Sequence, residues 1–318
     1  MTFLGNDPRL RSALRRLDLR IVHRLEGLLH GEHLGLRLGP GSEAAEARLY
    51  QPGEDDVRRM DWAVTARTDT PHVRDLVADR ELESWTLLDL SASMDFGTDR
   101  YVKRDVGVGA MVAVTLLTQR VADRFGAHFL HRGVIRRWPA RSGNEALLSL
   151  LATVAAAPAG TVSGDGGGAG LAEAIDDLAR TRRRRGLRVV VSDFLGTPAF
   201  GGRVPWERPM SRLAARHQVL AVEVIDPREL DLPEIGAVAL RDPVTGRVRD
   251  VRIDRPVRER YRAAARAQRE EVRRALRRCG AQHLVLRTDR DWVLDIARFV
   301  IHQRRTAHRS PRHAPGAP

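Results

Sequence analysis

Apolar positions along the chain change period several times. Residues 8–29 place Leu10, Leu14, Leu17, Ile21 and Leu25 every three or four positions, with Pro8 near the start, and so predict an amphipathic helix. Gly31 to Leu38 and Ala45 to Tyr50 flank Gly39-Pro40-Gly41-Ser42 and predict two short strands around a loop. Pro71 to Val77 predicts another strand. Trp85 to Leu88 is a short apolar run ending in Asp89, the pattern of a buried strand. Lys103 to Phe125 predicts a long helix with Gly126 as its stop. Its middle, Val106 to Leu117, is apolar nearly all round, as in a helix buried on most sides. Ala127 to Leu130 and Val134 to Trp138 bracket His131-Arg132-Gly133 and predict a hairpin.

Helices are predicted at Glu145 to Ala156, Leu171 to Arg180, Met210 to Arg216, Pro256 to Cys279 and Trp292 to His302. Strands are predicted at Leu187 to Val191, Val219 to Ile225 and His283 to Leu286, with a hairpin over residues 237–253. Ala157 to Gly170 is rich in glycine and reads as a mobile surface loop. Strands that alternate with helices predict an α/β fold, a Rossmann-like, mostly parallel sheet with helices on both faces and one antiparallel edge strand. The domain plan is an N-terminal helix and β extension over 1–80, packed on the core. An α/β domain follows over 81–305, with a hairpin insertion at about 230–254, and then a disordered tail over 306–318.

Composition changes this picture little. Lys and Arg number 54 against 41 Asp and Glu, a net charge of +13. The arginines are not interleaved with aromatics as a stacking platform for bases requires, so they read as solvated helix faces. Arg182 to Arg185 follow a helix C-terminus, where cations suit the dipole. The single cysteine, Cys279, excludes an intrachain disulfide and a multi-cysteine metal site and fits a reducing compartment. The N-terminus lacks the apolar core of a signal peptide, and Gly107 to Leu117 falls short of the ~20 residues that span a bilayer. A soluble, cytoplasmic protein is expected.

The chemistry gathers at strand ends. Asp89-Leu90-Ser91-Ala92-Ser93 follows one strand, Asp193 ends a second and Asp226 a third. Ligands of open α/β sheets sit beyond the carboxyl ends of the strands. Asp89, Ser91, Ser93 and Asp193 offer oxygen alone, which suits a hard cation, Mg²⁺ first, with Mn²⁺ or Ca²⁺ open. The plainer reading of this stretch is a turn or cap held by its own Asp and Ser side chains. Upstream, Glu54-Asp55-Asp56 reads as caps and ion pairs rather than a cation site. Trp62 nearby implies a polar segment packed on the main domain.

Asp89-x-Ser91-x-Ser93 with Asp193 resembles the metal-ion-dependent adhesion site of von Willebrand factor A domains. A wider pattern runs from Tyr50-x-Pro52-Gly53-Glu54-Asp55-Asp56-x-Arg58-x-x-Asp61-Trp62 and Arg67, through Asp89 to Gly97, to Val191-Ser192-Asp193-Phe194. It is similar to the bacterial family called domain of unknown function fifty-eight, von Willebrand A-like proteins often encoded beside MoxR-type AAA+ ATPases. The resemblance implies Ser91 and Ser93 as direct metal ligands, and Asp89 and Asp193 as ligands directly or through water. A threonine normally completes such a site, and here Ala169 stands at its place. Asp165 in the same loop is a substitute or outer ligand.

The resemblance implies a non-catalytic protein-interaction module. It would engage a MoxR-type AAA+ ATPase, its client protein, or both, in chaperone-like assembly or activation. Two alternatives stand beside it, nucleic-acid binding through the Arg-rich helices and a metal-dependent hydrolase using Asp89. Against catalysis, the position two after Asp89 is Ser91 rather than the second Asp of dehalogenase-like phosphatases. The chain also has no Gly-x-Ser-x-Gly elbow and no Walker A lysine. His128 and His131 lie three apart in a predicted strand and so point to opposite faces.

Overall fold

The computed structural model describes residues 47–51, 57, 60, 62–74, 83–118, 124–158, 169–181, 185–196, 204–241 and 248–309. The predicted helix over 8–29, the strand at Gly31 to Leu38 and the acidic run at Glu54 lie outside them. Residues 37–82 form one compact unit, and the residues from 83 onward belong to a second.

In the smaller unit, β1 (Ala47–Leu49) pairs antiparallel with β2 (His72–Arg74). Helix α1 (Trp62–Thr68) lies between them in sequence. The Thr65 hydroxyl accepts from the His72 backbone N–H at 3.0 Å and ties helix to strand. Trp62 opens this helix and is 67% exposed.

The larger unit is built on a six-stranded sheet in the order β10-β7-β6-β3-β4-β5. These are β3 (Glu83–Asp89), β4 (Arg124–His131), β5 (Val134–Arg141), β6 (Leu187–Ser192), β7 (Gln218–Ile225) and β10 (Gln282–Arg287). All neighbours pair in parallel except β4 and β5, which form the predicted antiparallel edge. Arg132 and Gly133 make their two-residue turn with positive φ at both, the twist a tight hairpin requires. Helices α2 (Lys103–Thr118), α3 (Asn144–Ala155), α4 (Leu171–Arg180), α5 (Glu207–Ala214), α6 (Arg255–Arg278) and α7 (Trp292–Arg309) complete the unit. β8 (Gly236–Arg241) and β9 (Val248–Ile253) form the predicted separate hairpin.

Both faces of the sheet are covered. Ile175 and Leu178 of α4, Met210 and Leu213 of α5, and Val272 and Leu276 of α6 pack on Leu87 and Val190. Helix α2 comes close on the other face, where Gly107 stands by Leu88 and Val191. Its residues from Ala110 to Thr115 are all buried, as its apolar run predicts.

Several boundaries differ from the sequence reading. Arg124 and Phe125 start β4 rather than end a helix, and Gly126 lies inside the strand. A Cβ on Gly126 would meet the Trp85 ring at 2.6 Å, so the glycine makes room for an aromatic on the neighbouring strand. Helix α7 continues through Thr306 to Arg309, where the disordered tail was expected to begin. Among the described residues no helix is long and apolar enough to cross a membrane.

Candidate functional site

The sheet has one switch point. From β3 the chain passes through α2 to β4 on one side, while β6 pairs with β3 on the other. The carboxyl ends of β3 and β6 therefore flank the crevice where such folds hold ligands. Asp89 ends β3 and Asp193 follows β6 directly.

Asp89 is buried, and its carboxylate accepts from the Ser91 backbone N–H at 2.9 Å and from the Ser192 hydroxyl at 2.7 Å. Both donors are neutral. Burial, and then the charge of nearby Asp193, push its pKa up to about 6. The Ser91 and Ser93 hydroxyl oxygens lie 3.2 Å apart at the start of a 3-10 turn, Ala92–Asp95. The Ser93 hydroxyl also hydrogen-bonds Asp193.

Asp193 has different neighbours. Its Oδ2 accepts from the Lys103 ammonium at 2.7 Å and its Oδ1 from the Leu195 N–H at 3.1 Å. Burial works to raise its pKa, but Lys103 and these hydrogen bonds outweigh it and hold the carboxyl below its ordinary range. Lys103 also pairs with Glu229. Arg269 continues the chain of charges. It donates to the Asp193 carbonyl at 2.7 Å, to Glu223 at 2.9 Å and to Glu229 at 3.2 Å. Glu223 in turn bonds His283 at 2.8 Å.

The structure thus brings Asp89, Ser91, Ser93 and Asp193 to one rim. Asp165 lies outside the described residues. The Ala169 N–H bonds the Gly133 carbonyl at 2.8 Å, which ties this residue to the β4–β5 turn without offering a side-chain ligand. Asp226 is closed to a ligand. It accepts from the Thr98 N–H and hydroxyl, the Arg228 N–H and the Thr288 hydroxyl, and so clasps two loops to the end of β7.

Sequence reasoning missed Lys103, Ser192, Glu223, Glu229 and Arg269. Two of them carried a signal. Glu223 interrupts the apolar run of β7, and a carboxylate in a buried strand requires a partner. Lys103 stands in the first turn of an apolar helix, the end where the dipole disfavours a cation.

The donor set fits a hard divalent cation. Among the described residues no three His, Cys, Asp or Glu side chains converge on one point, so hydroxyls would have to complete the set. The serine oxygens at 3.2 Å are close to the roughly 3 Å edge of an octahedron with Mg–O of about 2.1 Å. The charge count agrees. Around the rim, Asp89, Asp193, Glu223 and Asp226 are buried and Glu229 nearly so, beside two buried cations, Lys103 and Arg269; Asp177 and Arg188 are buried as well but serve Arg137 and the Glu83 carbonyl. Five carboxylates against two cations leave an excess of negative charge that burial makes costly.

The basic helices tell a simpler story. On α6, Arg255 pairs with Glu259, Arg258 and Arg262 with Asp231, and Arg273 and Arg274 with Glu270. Arg278 pairs with Glu207 and Glu271. Much of this positive surface is matched within the chain.

The class is therefore an α/β domain with a mostly parallel six-stranded sheet and an oxygen-lined rim at its switch point. The chain belongs to the family described as protein of unknown function DUF58, whose model matches residues 46–271. An uncharacterized protein of Mycobacterium tuberculosis is 52% identical over 305 residues, covering 95% of this chain and 92% of that one. An uncharacterized protein of Mycobacterium avium is 50% identical over 174 residues, covering 54% and 96%. Similar solved structures include the conserved hypothetical protein BatB from Bacteroides thetaiotaomicron (15% identity, TM-score 0.43, covering 72% of this chain and 100% of that one). The SpRpn10 VWA domain is another (13% identity, TM-score 0.35, covering 70% and 95%).

Proposed function

We propose that the chain is a non-catalytic, cytoplasmic protein-interaction module whose rim engages a MoxR-type AAA+ ATPase, its client, or both. The observation that carries this is Asp89. It is a buried carboxylate with neutral donors, beside two hydroxyls spaced for one ion, at the sheet's switch point. Ser91, Ser93 and Asp89 would hold Mg²⁺, with Asp193 behind them. When bound, the ion would offer an open position to a carboxylate of the partner. Ser192 and the Ser91 N–H keep the Asp89 carboxylate aimed. Phe96, 41% exposed and three residues after Ser93, gives the partner an apolar contact next to that position.

The partner class rests on the resemblance of the motif to a family encoded beside such ATPases. The non-catalytic reading is supported by the histidines, since His128 bonds Thr181, His131 the Pro158 carbonyl and His283 Glu223. These three serve partners other than the rim serines.

A pull-down tests the proposal, with full-length protein as bait in Mg²⁺ and in EDTA. Wild type is expected to capture the AAA+ protein in Mg²⁺ alone, and Asp89→Ala and Ser91→Ala/Ser93→Ala to lose it. Capture that ignores both chelator and substitution removes the rim from the mechanism.

A further inference from the structure

Lys103 is wholly buried at the start of α2, where the helix dipole repels a cation. A buried ammonium persists only when paired. Here two carboxylates pair it, Asp193 at 2.7 Å and Glu229. Asp193 comes from the end of β6 and Glu229 from the 3-10 turn Pro227–Glu229 after β7, so one ammonium joins three elements. Both Asp193 oxygens are engaged by the protein, one by Lys103 and the other by the Leu195 N–H. Asp89, by contrast, has no cation among its hydrogen-bond donors.

We infer that Lys103 is an internal counter-ion that keeps the rim assembled without metal and holds Asp193 back from direct coordination. A divalent ion is then held directly by Asp89, Ser91 and Ser93, and binds weakly. The inference rests on the reading of the rim as a divalent-cation site and adds how that site is tuned. Lys103 is a positioning residue in this scheme, since it acts through Asp193.

The test uses the full chain, Mg²⁺ as probe, calorimetric titration and thermal unfolding. Wild type is expected to melt within about 1 °C in EDTA and in millimolar Mg²⁺, because a weak ligand stabilises little. Lys103→Met is expected to bind Mg²⁺ roughly tenfold or more tighter, since ligand charge sets affinity at such sites. That variant takes the cation from Asp193, leaves Glu229 to Arg269 alone, and is at risk of misfolding. Lys103→Met/Glu229→Gln removes one charge of each sign, keeps the net charge of wild type and frees Asp193. It too is expected to bind roughly tenfold tighter, and to gain about 2–4 °C in Mg²⁺. Equal affinity in wild type and the double variant overturns the inference but leaves the metal reading standing. So does a wild type that loses its cooperative transition in EDTA. Absence of Mg²⁺ binding in every protein overturns both.

Discussion

Asp89 and Asp193 sit at the ends of adjacent strands, yet their surroundings divide the work. Lys103 neutralises Asp193, while Asp89 keeps its charge with only neutral donors. Asp89→Asn is nearly isosteric, so it is expected to fold while weakening Mg²⁺ binding by roughly tenfold or more; calorimetry reads this. Arg269 is the second buried cation of the rim. Arg269→Met removes the cation that Glu223 and Glu229 share and is expected to cost about 3–5 kcal/mol, read by denaturant unfolding. His128 gives a pH prediction. Burial pushes its pKa down from 6.5 to about 4, with Asp177 acting against that. The folded pKa lies below the unfolded one. The stability it contributes is therefore present above about 6.5 and lost as pH falls through about 4. Unfolding midpoints at pH 7 and pH 4.5 are expected to differ less for His128→Asn than for wild type. Asp89 works in the opposite direction below pH 6, so the contrast between the two proteins isolates the histidine.

Most of the strands and helices were legible because their apolar periods are strong. The short apolar runs of β3, β6 and β7 read as buried parallel strands, and the apolar middle of α2 as a helix buried on most sides. The error at Phe125 has a physical cause. The sequence from 118 to 125 holds no Gly or Pro to mark a helix end, and Gly126 looked like the missing stop. Its role is set instead by Trp85 on the next strand, a neighbour that no local pattern reveals. Gly126→Ala is expected to destabilise by about 1–3 kcal/mol through overpacking against that ring, measured by urea unfolding. The rim motif was legible for a similar reason. Asp89, Ser91 and Ser93 are local in sequence, and Asp193 ends a strand that can be read. Glu229 and Arg269 reach the site across 126 and 76 residues from Lys103 and Asp193, and such long-range pairing leaves no trace in spacing.

At the scale of the molecule, a charge of +13 invites a nucleic-acid reading. The paired arginines of α6 argue against it, since a guanidinium held by a carboxylate is a poor phosphate ligand. Filter binding to duplex DNA at two salt concentrations is expected to show weak affinity with a shallow slope. A steep fall in affinity with salt would favour the alternative. The binding-module account depends on one ion at one place, and a crystal grown with Mn²⁺ examines this most directly. The expected result is an anomalous peak bonded to both the Ser91 and Ser93 hydroxyl oxygens beside Asp89, with Lys103 still on Asp193. A rim with no peak at saturating Mn²⁺, or a peak bonded to Asp193 with Lys103 displaced, would contradict it.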